Sequence, residues 1–249
     1  MVERLARIGH FGTFAGQVLW RSVTPAWEVD AFLSQLWALW WRCLLPVLAT
    51  TTPLGMVMAL QGLQIFDLYG AQRLLSPLVS VATFRELSPV LASVLVAAQG
   101  GSSFAAELGA MRIREELDAT EVMGIDSIRV HVVPRFLAAV VATPLLNLAG
   151  SLGGIVGGYV SAVLLKGETA GVYWSNLWVM TRPMDLLGGY VKAITFGAII
   201  GMVACYFGFY ARGGAPGVGR AVNDTVVVSA TTFIVVNYFL TSALFGAIG

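Results

Sequence analysis

Charged residues are scarce in this chain. They make up 12% of its 249 residues, whereas 57% of the residues are hydrophobic. A water-soluble domain of this length needs more polar surface than such a composition supplies. The formal net charge is +1, and no run of Lys or Arg is interleaved with aromatic residues, so a basic interface for nucleic acid is excluded. The bilayer is therefore the predicted solvent.

Cysteine and histidine are almost as rare, with two of each. Cys43 and Cys205 lie in apolar runs without the paired spacing of a metal site, which favours a role as small core residues. His10 and His131 have no second ligand at helical spacing. We predict that the chain holds no metal.

The chain also lacks nucleotide-binding and hydrolytic motifs. The Gly-rich segment 212–224 does not have the GxxxxGK[ST] spacing, and neither GxSxG nor HExxH occurs anywhere. We therefore predict that the protein is not an enzyme and needs no cofactor of its own. Energy from ATP has to come from a partner that holds the ATP and Mg²⁺.

The first 42 residues carry scattered charges, which is wrong for a secretory signal peptide. The first long apolar run begins only near Cys43. The same segment is rich in aromatic residues, a composition suited to a helix in the headgroup plane. We predict an interfacial elbow over 1–42, with a soluble helix hairpin as the alternative. The Trp residues of this elbow are Trp20, Trp27, Trp37, Trp40 and Trp41.

Windows with almost no charge mark the predicted membrane spans, because a transmembrane helix needs roughly 20 apolar residues. Each window is long enough to cross once, and no linker separates them. We predict an all-α integral membrane protein with a single permease domain over 1–249, in which 43–249 form five spans. The windows are 43–66, 87–106, 136–165, 193–211 and 225–249.

The distribution of Lys and Arg predicts the orientation. Ten of these residues fall on the side of the N-terminus and of the 107–135 loop, against five towards the other side. We therefore expect the N-terminus and this loop in the cytoplasm. The third window carries overlapping GxxxG spacings from Gly150 to Gly158, which are typical either of packing within one subunit or of a dimer seam.

The loop 107–126 is predicted to form a short amphipathic coupling helix. Arg112 with Glu116 and Arg114 with Asp118 are i,i+4 pairs, and Met111, Leu117, Val122 and Met123 are candidates for one apolar side. Such a helix fits a groove on a soluble partner, whereas the alternative is a solvated connector. The predicted coupling residues are Glu107, Arg112, Arg114, Glu116, Leu117, Asp118, Glu121 and Met123.

Three ionisable residues border the apolar spans on the other side. Arg85 and Glu86 precede the second window, and Lys192 precedes the fourth. Charged groups at such positions are costly unless they reach water, each other or a polar ligand. One interpretation is a binding site and the other is a snorkelling interfacial pair. Lys192 has three candidate partners, namely Glu86, Asp185 and a phosphate headgroup.

Several motifs resemble the MlaE/YrbE permease family of bacterial MCE transport systems. They are FRELSP at 84–89, the loop AAELGAMRIREELDATEVMGID at 105–126, VVPRF at 132–136 and MDLLGGYVKAITFG at 184–197. The resemblance implies a permease subunit in the bacterial inner membrane, paired with a second copy or a related permease. It also implies a cytoplasmic ABC ATPase, an external MCE-domain protein and a lipid substrate.

The same resemblance implies a cavity between two permease copies. Its apolar walls would come from the end of the first span, and Arg85, Glu86 and Lys192 would receive the headgroup. The rival functions are an ion-driven secondary transporter or channel and a non-catalytic scaffold. Inverted repeats or acidic residues in mid-span would favour the ion-driven transporter, and the sequence shows neither. The predicted wall residues are Met58, Ile65, Phe66 and Tyr69.

Overall fold

The structure, a computed structural model, describes residues 2–24 and 28–246, with side chains from residue 9 onward. Regular structure in this part of the chain is entirely helical. Trp27 of the predicted elbow and residues 247–249 of the predicted fifth span lie outside the described residues. The α-helices are α1 Val2–Val23, α2 Val29–Leu68, α3 Leu75–Ala82, α4 Ser88–Leu95, α5 Ser102–Ile113, α6 Glu116–Val122, α7 Val133–Tyr159, α8 Ala170–Leu177, α9 Pro183–Phe209 and α10 Gly214–Phe245.

Short π-helical turns join several of these helices end to end. Thr83–Leu87 connects α3 to α4, Val96–Gly101 connects α4 to α5, and two more turns extend α7 at its ends. The described residues thereby contain five helical stretches that are long and apolar enough to cross a membrane, which confirms the predicted five-span α-helical fold. They are Val29–Leu68, Gln72–Ile113, Ile128–Leu165, Pro183–Phe209 and Gly214–Phe245.

The predicted elbow is shorter than the sequence indicated. Helix α1 ends at Val23, and α2 begins at Val29, so residues 29–42 belong to the first spanning helix. The predicted span began after Arg42, whereas α2 continues back through Arg42 to Val29 and carries Asp30 in its first turn, where the helix dipole favours a carboxylate. The 40 residues of α2 extend over about 60 Å, twice the thickness of the hydrocarbon core.

The chain divides into two compact units, each with its own hydrophobic core. Unit 1 comprises 1–41, 96–142 and 196–233, and unit 2 comprises 42–95, 143–195 and 234–249. The core of unit 1 packs Phe14 and Val18 of α1 with residues of α5, α6, α7 and α9. The core of unit 2 packs α2, α3, α7 and α8. Within unit 2, the Tyr173 hydroxyl donates to the carbonyl of Ile155 at 3.0 Å, and burial raises the pKa of this tyrosine.

The glycine stripe of α7 packs within the subunit. A Cβ at Gly154 would contact the Thr83 side chain at 2.8 Å, and one at Gly157 would clash with the carbonyl oxygen of Thr52. Gly55 of α2 likewise lies against the backbone of Gly154. These contacts bring α2 and α7 to backbone distance in unit 2, as small residues allow in membrane helices.

Candidate functional site

Lys192 is the centre of a buried polar group in unit 2. Its side chain has 0% exposure, and its Nζ donates to Glu86 Oε1 at 2.7 Å, to Thr241 Oγ1 at 2.7 Å and to the Arg85 carbonyl at 2.9 Å. An ammonium group has three donors. All three are therefore engaged, which is what permits a lysine to be buried in an apolar span.

Glu86 joins this buried lysine to an open surface. Its Oε2 accepts from Asn237 Nδ2 at 3.1 Å, and its Oε1 is 3.0 Å from the Thr241 hydroxyl. The Glu86 side chain nevertheless keeps 39% of its surface exposed. A carboxylate with about four acceptor sites is thus held rigidly by its partners while one side remains accessible.

A second ion pair adjoins the first. Arg85 Nε is 2.7 Å from Asp185 Oδ1, and the Asp185 side chain is 1% exposed. The other oxygen, Oδ2, accepts from the Arg182 backbone N–H at 2.8 Å, at the start of α9. The Phe245 ring centroid lies 4.5 Å from Arg85 Cζ and 5.5 Å from Lys192 Nζ, within the range of cation–π attraction.

Arg85 and Glu86 both lie in the π-helical turn Thr83–Leu87 but reach different partners. Neighbouring residues in a helix do not face the same way. Arg85 pairs with Asp185 and Glu86 with Lys192, which decides between the partners that the sequence left open. We name the group Arg85, Glu86, Asp185, Lys192, Asn237 and Thr241 the polar cluster.

Asn237 and Thr241 were missed by the sequence analysis. Both lie on α10, four residues apart, so they share one helix face with Phe245. A polar i,i+4 pair in an otherwise apolar span was the signal available for finding them. Its partner on another helix was not readable from the sequence.

The predicted apolar wall residues lie on α2 or just after it, but outside the polar cluster. Ile65 and Tyr69 are exposed, Met58 is half-buried, and Phe66 packs against the core of unit 2. Among the described residues, the hydrogen bonds and ion pairs of the polar cluster include none of these four. Their role as a cavity wall stays a prediction.

The predicted coupling helix is interrupted. Helix α5 continues to Ile113, Glu115 adopts a left-handed conformation with φ 59°, and α6 begins at Glu116. The predicted i,i+4 pairs are therefore wrong, because they assume an unbroken helix. Arg112 instead pairs with Asp118 at 2.5 Å, and Arg114 pairs with Glu116 at 2.7 Å.

The apolar residues of this loop separate into two groups. Leu117 is completely buried in the core of unit 1, so its predicted place on a docking surface is wrong. Val122 and Met123 are 88% and 66% exposed. Leu117 fills the core because it is the first apolar residue after the break, and it anchors α6 there while leaving the end of the loop exposed.

Two of the predicted coupling residues hold the loop in place. Glu107 Oε2 is 3.1 Å from Arg135 Nη2, and Glu121 Oε1 accepts from the Ser127 hydroxyl at 2.7 Å. Both contacts join residues of unit 1. They orient α5 and α6 on the start of α7, so that the loop presents one fixed surface.

Comparison with known proteins relates most of the chain to one family. The family described as Permease MlaE matches residues 32–243. A probable ABC transporter permease protein of Rickettsia bellii is 36% identical over 243 residues, which cover 97% of this chain and 94% of that protein. The intermembrane phospholipid transport system permease protein MlaE of Haemophilus influenzae is 31% identical over 238 residues, 95% of this chain and 89% of that protein. The chloroplastic Arabidopsis thaliana protein TRIGALACTOSYLDIACYLGLYCEROL 1 is 32% identical over 235 residues, 94% of this chain and 67% of that protein.

Five apolar helical stretches define a multi-pass membrane protein, and the permease matches make it a transporter subunit. The match over most of the chain then identifies the family. The protein belongs to the MlaE permease family, as its motifs predicted.

Proposed function

We propose that this chain is the permease subunit of an ATP-driven phospholipid transporter in the bacterial inner membrane. The Haemophilus influenzae relative is a permease protein of an intermembrane phospholipid transport system, which supports phospholipid as the substrate class. Two permease copies, a cytoplasmic ABC ATPase and an external MCE-domain protein complete the proposed assembly. The excess of Lys and Arg on one side of the spans supports an N-terminus in the cytoplasm.

We assign headgroup recognition to the polar cluster. This assignment rests on a contrast between the buried and the accessible groups of the cluster. Lys192 and Asp185 are enclosed. Arg85 and Glu86 keep 34% and 39% of their side chains exposed. The buried partners hold the two accessible charges in position. The Arg85 guanidinium then meets a phosphate, and Glu86 meets a headgroup amine or hydroxyl.

The wall for the acyl chains is assigned to α2. Ile65 and Tyr69 are exposed at or just after its end, and Met58 is half-buried about two turns before Ile65. Apolar surface of this kind accepts acyl chains without a precise fit. The charge of the polar cluster and the apolar face of α2 together suit an amphiphile, and a second permease copy would complete the cavity.

The test is the amount of phospholipid bound per purified complex for the wild type, for Arg85→Gln and for the control Arg73→Gln. Arg73 is an exposed cation of the same unit, so the control makes the same charge change outside the polar cluster. Loss of a charge-assisted hydrogen bond should weaken retention about 10-fold in Arg85→Gln alone. Asp185 keeps its bond from the Arg182 N–H in this variant but loses its cation, so the melting temperature of Arg85→Gln is measured beside its lipid content.

Co-purification of the ATPase serves as the assembly control in the same experiment. A headgroup site requires that Arg85→Gln loses lipid while the ATPase is still recovered. Equal lipid content in all three proteins would eliminate the site, and joint loss of lipid and ATPase would show that Arg85 has only a structural role.

Transmission of the ATPase motion is assigned to the loop after α5. Val122, Met123 and Ile125 are exposed apolar residues of this loop, and two ion pairs, Arg112 with Asp118 and Arg114 with Glu116, precede them in the chain. Exposed apolar side chains beside charged residues are typical of a docking surface. The groove formed by Ala110, Ile113 and Val218 has a volume of about 480 Å³ and adds apolar surface in the same unit.

A further inference from the structure

A second lipid site is suggested by a hollow in unit 1, beside α1. The hollow has a volume of about 600 Å³. It belongs entirely to unit 1, whereas every residue of the polar cluster belongs to unit 2. We name it the α1 hollow, and its lining residues are Thr13, Gly16, Gln17, Trp20, Arg21 and Arg129.

The shape of the α1 hollow follows from the spacing of residues on α1. Phe14 and Val18 are buried in the core of unit 1, so the adjoining face with Thr13, Gly16 and Trp20 turns outward. A Cβ at Gly16 would meet nothing within 4 Å. Glycine therefore opens the hollow without being needed for the packing of α1.

The charge in the α1 hollow comes from Arg129. Arg21 is already paired, with Asp126 Oδ2 at 2.5 Å. Among the described residues, the Arg129 side chain makes one hydrogen bond, from Nη2 to Thr24 Oγ1 at 3.2 Å, and its buried Nε has no partner. A guanidinium carries five N–H donors, so within the described part of the chain this one retains donors without a partner.

Trp20 supplies an apolar wall at the edge of the α1 hollow. Its side chain is exposed. Exposed Trp residues on amphipathic helices are typical of the membrane interface, where the ring lies at headgroup level. The α1 hollow thus combines a guanidinium with unpartnered donors, an open groove and an exposed Trp. This combination suits an anionic lipid whose phosphate binds Arg129 and whose acyl chain lies along Gly16.

We propose that the α1 hollow binds one anionic phospholipid of the cytoplasmic leaflet. This lipid is distinct from the transported lipid, because it is held by other residues in the other unit. Its chemistry is that of a phosphate diester with net negative charge, which a planar guanidinium recognises through paired hydrogen bonds. The bound lipid would anchor α1 in its leaflet.

The test counts lipids retained by the purified complex in native mass spectrometry, after reconstitution with phosphatidylglycerol or with phosphatidylcholine. Arg129→Gln removes the charge, and Gly16→Leu fills the groove. Gly9→Leu is the matched control, since Gly9 lies two turns earlier on α1, also has nothing within 4 Å of a Cβ and does not line the α1 hollow. Arg129→Lys restores the charge without the planar group.

The expected result is the loss of one phosphatidylglycerol per chain in Arg129→Gln and in Gly16→Leu, wild-type retention in Gly9→Leu and intermediate retention in Arg129→Lys. Retention of phosphatidylcholine should not change in Arg129→Gln. Equal phosphatidylglycerol counts in all variants would overturn the proposal. Unchanged lipid counts together with loss of a partner protein in Gly16→Leu would overturn it as well, because the hollow would then hold a helix.

The outcome is separable from the test of the polar cluster. Arg85→Gln changes a residue of unit 2, so a failure of the headgroup site leaves the phosphatidylglycerol count at the α1 hollow unaffected. The converse also holds, since Arg129→Gln leaves every contact of Lys192 and Glu86 in place.

Discussion

Two ion pairs of identical length, one in each unit, differ in how far their side chains are buried. Lys192 and Glu86 in unit 2 lie 2.7 Å apart, as do Arg114 and Glu116 in unit 1. Lys192 is fully buried, however, whereas 63% of the Arg114 side chain is exposed. Exposed pairs contribute about 0–1 kcal/mol, while an enclosed charge depends on its partners. The distance is the same in both pairs, so it identifies neither as functional. The burial of Lys192 is what distinguishes them.

The largest effect on stability is expected from placing a charge in the apolar core of unit 1. Leu117→Asp puts a carboxylate into the apolar core of unit 1, where Leu117 is completely buried. We expect a loss of about 4 kcal/mol or more in the free energy of unfolding, because the carboxylate would have no partner. Thermal unfolding of the detergent-purified protein measures this, with Leu117→Met as the conservative control. A stable Leu117→Asp protein would show that the core of unit 1 is open to water.

A smaller loss is expected from removing the buried charge of unit 2. Lys192→Met leaves Glu86 with Asn237 and Thr241 but without a cation. Since Glu86 is partly exposed, we expect a loss of about 2 kcal/mol, below the range for fully enclosed pairs. The double variant Lys192→Met with Glu86→Gln should recover stability, because it removes the unpaired charge. Equal melting temperatures for Lys192→Met and the wild type would contradict the contrast between the two pairs.

The smallest effect on stability is expected at the exposed end of the loop after α5. Val122→Asp changes a residue that is 88% exposed, so the free energy of unfolding should change by about 0.5 kcal/mol or less. Recovery of the ATPase in a pull-down should nevertheless fall, by about 2 kcal/mol of association free energy.

The matched control for Val122→Asp is Val179→Asp, the same substitution at an exposed valine of unit 2. Only Val122→Asp should reduce ATPase recovery. If both variants retained the ATPase, the loop after α5 would not be its docking surface.

The fold was largely predictable because membrane spans follow from composition. Apolar stretches separated by charges gave five spans, and the structure has five. The boundaries were less predictable, since residues such as Asp30 are accommodated at helix ends by the backbone dipole and by water. Helix α2 therefore begins fourteen residues before the predicted span at Cys43.

The polar cluster was predictable only in part. Arg85, Glu86 and Lys192 stood out because charged residues are rare beside apolar spans. Their pairing was not readable, since it depends on the approach of three segments that are distant in sequence, namely the turn Thr83–Leu87, α9 and α10. The burial of Leu117 was not predictable either. It depends on Glu115, whose left-handed conformation ends α5 and changes the direction of the chain before α6.

The π-helical turn at Thr83–Leu87 has a consequence for changes in the length of this span. A π turn accommodates one residue more than an α turn, so the helices on either side keep their rotational phase whether or not the extra residue is present. Deletion of one residue within the turn would convert it to α-helix and leave α3 and α4 in register, but deletion of Arg85 or Glu86 would also leave Asp185 or Lys192 without its ion-pair partner. The turn can therefore shorten without a change in packing only where these two residues are kept.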